Sequence, residues 1–139
     1  MKRPLLLIAI LALLLLPIGC VDVKAMEQDV IDNIIQQATG TYTIKVGGTT
    51  GVYFTGEYRG IIYDVDPDTY VIDYTWNEFP VEGQVPAEYT FEAMAAAVFF
   101  QKRTGDGTLL QVEIWKEGVL QDSASTTNPW GAVFVAGGP

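Results

Sequence analysis

The stretch LLQVEIW, Leu109 to Trp115, decides the fold class of this chain of 139 residues. In it Leu110, Val112 and Ile114 alternate with Gln111 and Glu113. This period of two predicts a β-strand with one side on a hydrophobic core and the other in contact with water.

The same alternation and the same vocabulary of Tyr, Val, Ile, Phe and Thr continue in both directions from this stretch, beginning at Thr41. The predicted strands are Thr41 to Val46, Val52 to Arg59, Thr69 to Trp76, Val85 to Phe91, Ala95 to Arg103, Leu109 to Trp115, Val119 to Ser123 and Ala132 to Val135. Between them lie GGTTG, DVDPD, FPVEG, TGDG, KEG and TTNPWG, which contain the residues that turns require.

Seven or eight short antiparallel strands in about a hundred residues predict an all-β fold, an immunoglobulin-like β-sandwich. The segment EAMAAAVFF, Glu92 to Phe100, also has helix-favouring alanines, but it runs straight into a TGDG turn and is predicted as turn and strand. Trp76, Trp115 and Trp130 are expected to fill the core, since large aromatic side chains dominate sandwich interiors.

Residues 20–40 predict a tether with a short amphipathic helix before the sandwich of residues 41–139. Apolar residues follow helical spacing within residues 21–39, and Gly40 provides a stop. The apolar face either docks on the domain or belongs to a transient helix.

Residues 1–19 have the layout of a secretory signal peptide: the basic Lys2 and Arg3, an apolar run, and a small-residue end. The apolar run Leu5 to Ile18 is short of the roughly 20 residues that a membrane-spanning helix needs. The stretch LPIGC ends at Cys20, the one cysteine of the chain, and resembles the cleavage box of lipoproteins. That resemblance implies that Cys20 becomes the lipidated first residue.

The alternative for Cys20 is an ordinary cleaved signal followed by an incidental cysteine. A lone thiol in an oxidising compartment is a liability, which favours lipidation. The lipid would hold the protein at a cell membrane, facing the extracellular or periplasmic side.

The net charge of the chain argues against nucleic acid as a partner. Loss of residues 1–19 leaves 6 basic and 17 acidic side chains, a net charge near −11. Such a surface repels phosphate, so nucleic acid is not an expected partner.

The chain contains no histidine, so the commonest general base and transition-metal ligand are missing from it. We therefore expect no enzymatic activity and no cofactor. A hydrolase with paired carboxylates, which would place two acids in one cleft, is the enzymatic rival.

The segment YDVDPDTY, Tyr63 to Tyr70, places Asp64, Asp66 and Asp68 at alternate positions. Alternating carboxylates can surround calcium. However, Thr69 stands where the EF-hand pattern needs glycine. A solvated turn built on the Pro67 position is the favoured interpretation, and a calcium site is the alternative.

Three stretches together resemble one known family. TGDGTLLQVEIWKEGVLQDSAS (Thr104 to Ser125), TTNPWGAVFVAGG (Thr126 to Gly138) and YTIKVGGTTGVYFTGEY (Tyr42 to Tyr58) follow the order of features of the MmpS family. Phe79 and Pro80 stand near the family's Leu-Pro-Trp motif. The chain departs from the family at Val112 and Val135, where the family has cysteines.

The resemblance implies a membrane-attached extracytoplasmic β-sandwich that is accessory to a transporter of the RND type. On the residues themselves, the loops around Phe79 and Trp130 are candidate partner contacts, because exposed aromatic side chains make good anchors. In the competing interpretation both side chains are buried plugs. A binding module for a small ligand, a carbohydrate or calcium remains the alternative function.

Overall fold

The computed structural model describes residues 23–139, apart from residues 67 and 70 and from the side chains of residues 23–27, 64 and 72. The chain divides into two units, Met1–Val30 and Ile31–Pro139, and the second contains all the described strands. The described elements are α1 (Val23–Ala38), β1 (Gly40–Gly48), β2 (Tyr53–Val65), β3 (Ile72–Gln84), β4 (Ala87–Ala93), β5 (Ala95–Lys102), β6 (Leu110–Lys116), β7 (Val119–Thr126) and β8 (Ala132–Gly137).

These strands form two antiparallel sheets of four strands each. The order is β4-β1-β6-β7 in sheet 1 and β3-β2-β5-β8 in sheet 2. The stretch LLQVEIW lies in β6 from Leu110 onward, in the interior of sheet 1, and its Leu110, Val112 and Ile114 are fully buried. The predicted all-β antiparallel sandwich of seven or eight strands is confirmed, with eight strands.

The core lies between the two inner faces and is built mainly from alternate residues of β1, β2, β5, β6 and β8, with Val81 of β3 and Ala124 of β7 partly buried against it. Its largest apolar members are Tyr42, Phe54, Phe100, Ile44, Leu110 and Ile114. Each buried aliphatic side chain contributes about 1.5–3 kcal/mol of hydrophobic free energy. The prediction that three tryptophans fill this core is wrong: Trp76 and Trp130 are 44% and 56% exposed, and Trp115 is half-buried.

The strand predicted at Thr69 to Trp76 is also wrong in its bounds, because β3 continues through FPVEG to Gln84. Proline cannot donate a ladder hydrogen bond, but β3 is an edge strand, where Pro80 is tolerated. Gly83 serves packing, since a Cβ there would lie 2.8 Å from the Phe54 ring. Phe79 and Pro80 are therefore strand residues, although the sequence around them looks like a turn.

Strands β2 and β3 form a hairpin that is longer than the rest of sheet 2. They pair along their whole length, from Tyr53 opposite Gln84 to Val65 opposite Ile72. Strand β5 pairs with β2 only as far as Ile61. Residues 62–65 of β2 and 72–75 of β3 therefore continue as a two-stranded ribbon about 13 Å beyond β5. We call residues 62–75 the arm.

The arm leaves the sandwich at the end where the chain reaches the first strand, which we call the tether end. Gly40, the first residue of β1, is opposite Ala93, the last residue of β4. In the turn that follows, the Met94 amide donates to the Ile61 carbonyl over 2.9 Å, at the base of the arm. The start of β1 and the arm are thus neighbours.

Hydrogen bonds reinforce the tether end. The Lys116 ammonium donates to the carbonyls of Ala38, at the end of α1, and Met94, over 3.1 and 3.4 Å. The Tyr42 hydroxyl lies 3.1 Å from the Met94 carbonyl and 3.0 Å from that of Gly138, so it can donate to either. These contacts join the last turn of α1, the β4–β5 turn and the carboxyl end of the chain.

The predicted helix before the sandwich is present as α1. Its Val30 and Ile34 are 59% and 61% exposed, whereas Ile31 and Ile35 are half-buried. The Thr39 amide and hydroxyl both donate to the Ile35 carbonyl, over 2.9 and 2.8 Å, where the helix ends. Part of the apolar stripe of α1, at Val30 and Ile34, is therefore in contact with water.

The outer edge of β8 is met by a side chain of sheet 1. The Ala136 amide donates to the Asp122 carboxylate of β7 over 3.1 Å. Asp122 therefore takes the place of a neighbouring strand at this point of the edge.

Candidate functional site

The predicted lipidation site, Cys20, and the predicted signal peptide of residues 1–19 lie outside the described residues. Both remain predictions. Within residues 23–139 as described, no helix has the length and apolar character needed to cross a membrane.

The acidic turn at the tip of the arm is organised by its own hydrogen bonds. The Asp66 carboxylate accepts the amides of Asp68 and Thr69, over 2.8 and 3.3 Å. These bonds stabilise the charged form and hold the pKa of Asp66 below its ordinary value. Asp68 is exposed, and the side chain of Asp64 lies outside the described residues. Among described side chains, no group of three or more potential ligands could hold a metal.

The two predicted contact residues lie in different settings. Phe79 is on the inner face of β3, half-buried, with its ring centroid 4.8 Å from that of Tyr58. Trp130 is exposed in the β7–β8 loop, where its amide donates to the Thr104 carbonyl over 2.9 Å. The structure does not bring these two side chains together in one loop surface.

The outer face of sheet 2 presents three exposed aromatic side chains that the sequence reasoning assigned to strands or to the core. Trp76, Phe99 and Phe134 are 44%, 47% and 62% exposed. Phe99 and Phe134 are directly opposite each other on β5 and β8. We call the surface formed by these three side chains and the ions between them the aromatic face.

A shallow hollow of about 330 Å³ lies among these rings, and Ala97 lines part of it. A chain of ions runs along it: the Arg59 guanidinium is 2.5 Å from the Glu57 carboxylate and 3.2 Å from that of Glu78. The ions are partly exposed, so they add little stability. The hollow therefore contains polar groups whose orientation is set by these ion pairs.

A second hollow, of about 510 Å³, lies further along the same strands, towards the end of the sandwich opposite the tether end. Tyr53, Thr55, Glu82 and Arg103 line it. Tyr53 is 58% exposed. Exposed aromatic and charged side chains thus follow β2 and β3 from this hollow to Trp76, at the base of the arm.

The outer face of sheet 1 differs in kind, because its tryptophan is covered by polar partners. The Lys45 ammonium lies 4.8 Å from the centre of the Trp115 ring. The indole N–H of Trp115 donates to the Glu113 carboxylate over 2.9 Å, and Gln111 donates to the same carboxylate over 3.1 Å. On this face an ion covers the aromatic ring and the exposed apolar side chains, Val119 and Leu120, are aliphatic, whereas the ions of sheet 2 leave three aromatic rings exposed.

Lys102 is a buried cation at the end of β5, next to the β5–β6 and β7–β8 loops. Its ammonium donates to the carbonyls of Asp106 and Thr108, over 2.6 and 2.7 Å. A longer contact of 3.5 Å reaches the Thr127 carbonyl. Carbonyl oxygens of the two loops satisfy the hydrogen-bonding needs of this ammonium. We therefore assign Lys102 a structural role in holding these loops.

The acids with displaced pKa values do not have the properties of a general acid. Hydrogen bonds from Thr108 lower the pKa of Asp106, as turn hydrogen bonds lower that of Asp66. A carboxyl group that delivers a proton near neutral pH needs the opposite displacement. Both acids are better explained as organisers of turns.

Comparison with known proteins adds no assignment. No family model matches the chain, and no curated protein has significant similarity to it.

The sequence does contain a signal for the aromatic face, in the order AAAVFF of β5. With Val98 and Phe100 buried, period two places Phe99 on the outer side. Finding Phe134 beside it requires the β5–β8 register, which local sequence does not specify.

Proposed function

We propose that this protein is a non-enzymatic, extracytoplasmic lipoprotein whose β-sandwich binds a membrane protein through the aromatic face. The observation that supports this proposal is the contrast between the two outer faces. Sheet 2 exposes Trp76, Phe99 and Phe134, whereas sheet 1 engages Trp115 in polar contacts. Exposed rings grouped on one side of a small domain are typical of interaction surfaces.

The composition of the aromatic face suits a protein partner. Large aromatic and arginine side chains provide most of the energy at protein interfaces when a partner removes them from water. Here the rings surround Arg59, which is already paired with Glu57 and Glu78. A partner that covers the rings therefore meets a guanidinium that is already paired, and the three ions together carry one net negative charge for the partner to pair.

The charge of the chain favours a membrane protein over anionic headgroups or nucleic acid. Without residues 1–19 the net charge is near −11, which repels phosphate. Lipidation of Cys20 would supply the attachment to the membrane that basic side chains do not. The resemblance to the MmpS family supports a partner of the RND transporter type.

The attachment is tested on the native protein in its own membrane. We expect mass spectrometry of the mature amino terminus to find acylated Cys20, and we expect Cys20→Ser to release the protein into the wash. A mature protein with an unmodified Cys20 would contradict the anchored setting.

The binding role is tested with a photoreactive benzophenone amino acid at position 134. We expect a crosslink to an integral membrane protein from this position. The matched control is position 123, an exposed site on the outer side of β7 in sheet 1. Equal crosslinking from both positions, or none from position 134, would refute the assignment to the aromatic face.

A carbohydrate-binding module is the second candidate, because rings, carboxylates and a guanidinium line one hollow. Flat apolar rings can cover the faces of sugars, and the ions can pair with hydroxyl groups. Saturable binding to cell-envelope polysaccharide that Phe99→Ala removes would favour this function over the first.

A further inference from the structure

We infer that the arm, residues 62–75, is a second contact element that docks against a basic surface of the same membrane protein, close to the bilayer. This inference rests on the proposed function, because it requires the protein to be anchored beside that partner. The inference adds to the proposed function the position of a second contact and the charge of the partner surface at that contact.

The position of the arm is the first argument. The arm extends from the tether end, where the Met94 amide joins the β4–β5 turn to Ile61. Gly40, at the same end, is the first sandwich residue after the segment that leads back to Cys20. Along the chain, the tether end is therefore the part of the sandwich closest to the proposed anchor.

The side chains of the arm are the second argument. Ile62, Val71 and Tyr74 are 42%, 60% and 60% exposed on a ribbon of only two strands. A two-stranded ribbon has little core of its own and gains stability from a surface that covers it. Tyr74 extends the aromatic face into the arm, because it is two positions from Trp76 on β3 and lies on the same side of the ribbon, whereas Ile62 lies on the other side.

Charge identifies the kind of partner. Residues 62–75 contain four aspartates and no lysine or arginine. Asp68 and Asp73 are exposed in the described part of the arm. Carboxylates at this position are repelled by anionic headgroups and are costly to place in hydrocarbon, whereas lysine and arginine side chains of a protein attract them.

The test uses the full-length lipidated protein in its native membrane, with the photoreactive amino acid at position 74 or at position 53. Tyr74 and Tyr53 are the same residue type and are 60% and 58% exposed, but they lie at opposite ends of the long hairpin. We expect position 74 to crosslink to the integral membrane protein captured from position 134, and position 53 to give a much weaker product.

A charge variant tests the basic nature of the contact. Asp68→Lys should lower the crosslinking yield from position 74 about tenfold, because it places like charges opposite each other. Glu88→Lys is the matched control: it changes the net charge equally but lies on β4 of sheet 1, and it should leave the yield unchanged.

The outcomes separate the two proposals. Crosslinking of position 74 to lipid alone, or to nothing while position 134 captures its partner, overturns the docking role of the arm and leaves the proposed function intact. An unchanged yield in the Asp68→Lys variant overturns the basic surface. Failure at positions 74 and 134 alike overturns the inference together with the proposed function.

Discussion

At the residue scale, Lys102 shows how a charged side chain can occupy a core position. Ala96, Val98 and Phe100 precede it at alternate, buried positions of β5. The alternation alone would therefore place Lys102 inside, although its charge argues against burial. The conflict is resolved by the carbonyls of Asp106 and Thr108, which neither alternation nor composition could have brought to this position.

We predict that Lys102→Met lowers the free energy of unfolding by roughly 3 kcal/mol, because methionine keeps the volume but leaves carbonyl groups unpaired in the interior. Urea denaturation measures the change. Lys45→Met is the control, since Lys45 is exposed above Trp115, and it should cost less than about 1 kcal/mol. Equal effects of the two substitutions would contradict the structural role of Lys102.

At the element scale, alternation predicted the existence of the strands better than their ends. The helix-favouring alanines of β5 did not prevent strand formation, because a strand there covers the core with Val98 and Phe100. The local sequence does not indicate the end of β3, because Pro80 and Gly83 are turn residues in most contexts. Only the position of β3 at the sheet edge, a property of the whole fold, makes them compatible with a strand.

We predict that amide hydrogens of the arm exchange about a hundredfold faster than those of β2 between Phe54 and Tyr58, because a two-stranded ribbon opens without unfolding the sandwich. Hydrogen exchange followed by NMR or mass spectrometry of the free protein gives the rates. Uniform protection along β2 would show that the arm is as stable as the sheet. Slower exchange in the arm after crosslinking at position 134 would in turn support its docking role.

At the scale of the whole molecule, a cluster of rings joins the two sheets along the side where β3 and β4 lie. The Tyr58 ring centroid is 4.8 Å from that of Phe91 and 5.6 Å from that of Tyr89. Burial raises the pKa of Tyr42 and Tyr58, and burial together with the charge of Tyr58 raises the pKa of Tyr89. The folded protein thus holds these phenolic protons more tightly than the unfolded chain does.

We predict that stability declines in alkali. The contribution of these tyrosines is fully present below the unfolded pKa near 10 and is lost as the pH rises through their higher folded values. Urea denaturation across this range measures the decline. Tyr58→Phe should reduce the slope, and Tyr53→Phe, at an exposed position, should leave it unchanged. A slope that Tyr58→Phe does not alter would contradict this assignment.

The fold class can be predicted from the sequence, because a strand with one buried side has apolar residues at every second position. The candidate site did not, since it depends on which strands become neighbours: Phe99 and Phe134 are 35 positions apart in the chain and meet only through the β5–β8 ladder. The acidic turn at the tip of the arm can be predicted from local sequence, because Asp66 organises it through hydrogen bonds with residues two and three positions away.

The contact between Asp122 and the Ala136 amide also affects how copies of the protein meet one another. Strand β8 has no charged residue and no proline of its own, so its outer side would otherwise be a template for fibril growth. A carboxylate from the opposite sheet occupies one rung of that template and brings negative charge to it. Two copies of the protein would therefore repel each other at the edge where they would otherwise polymerise.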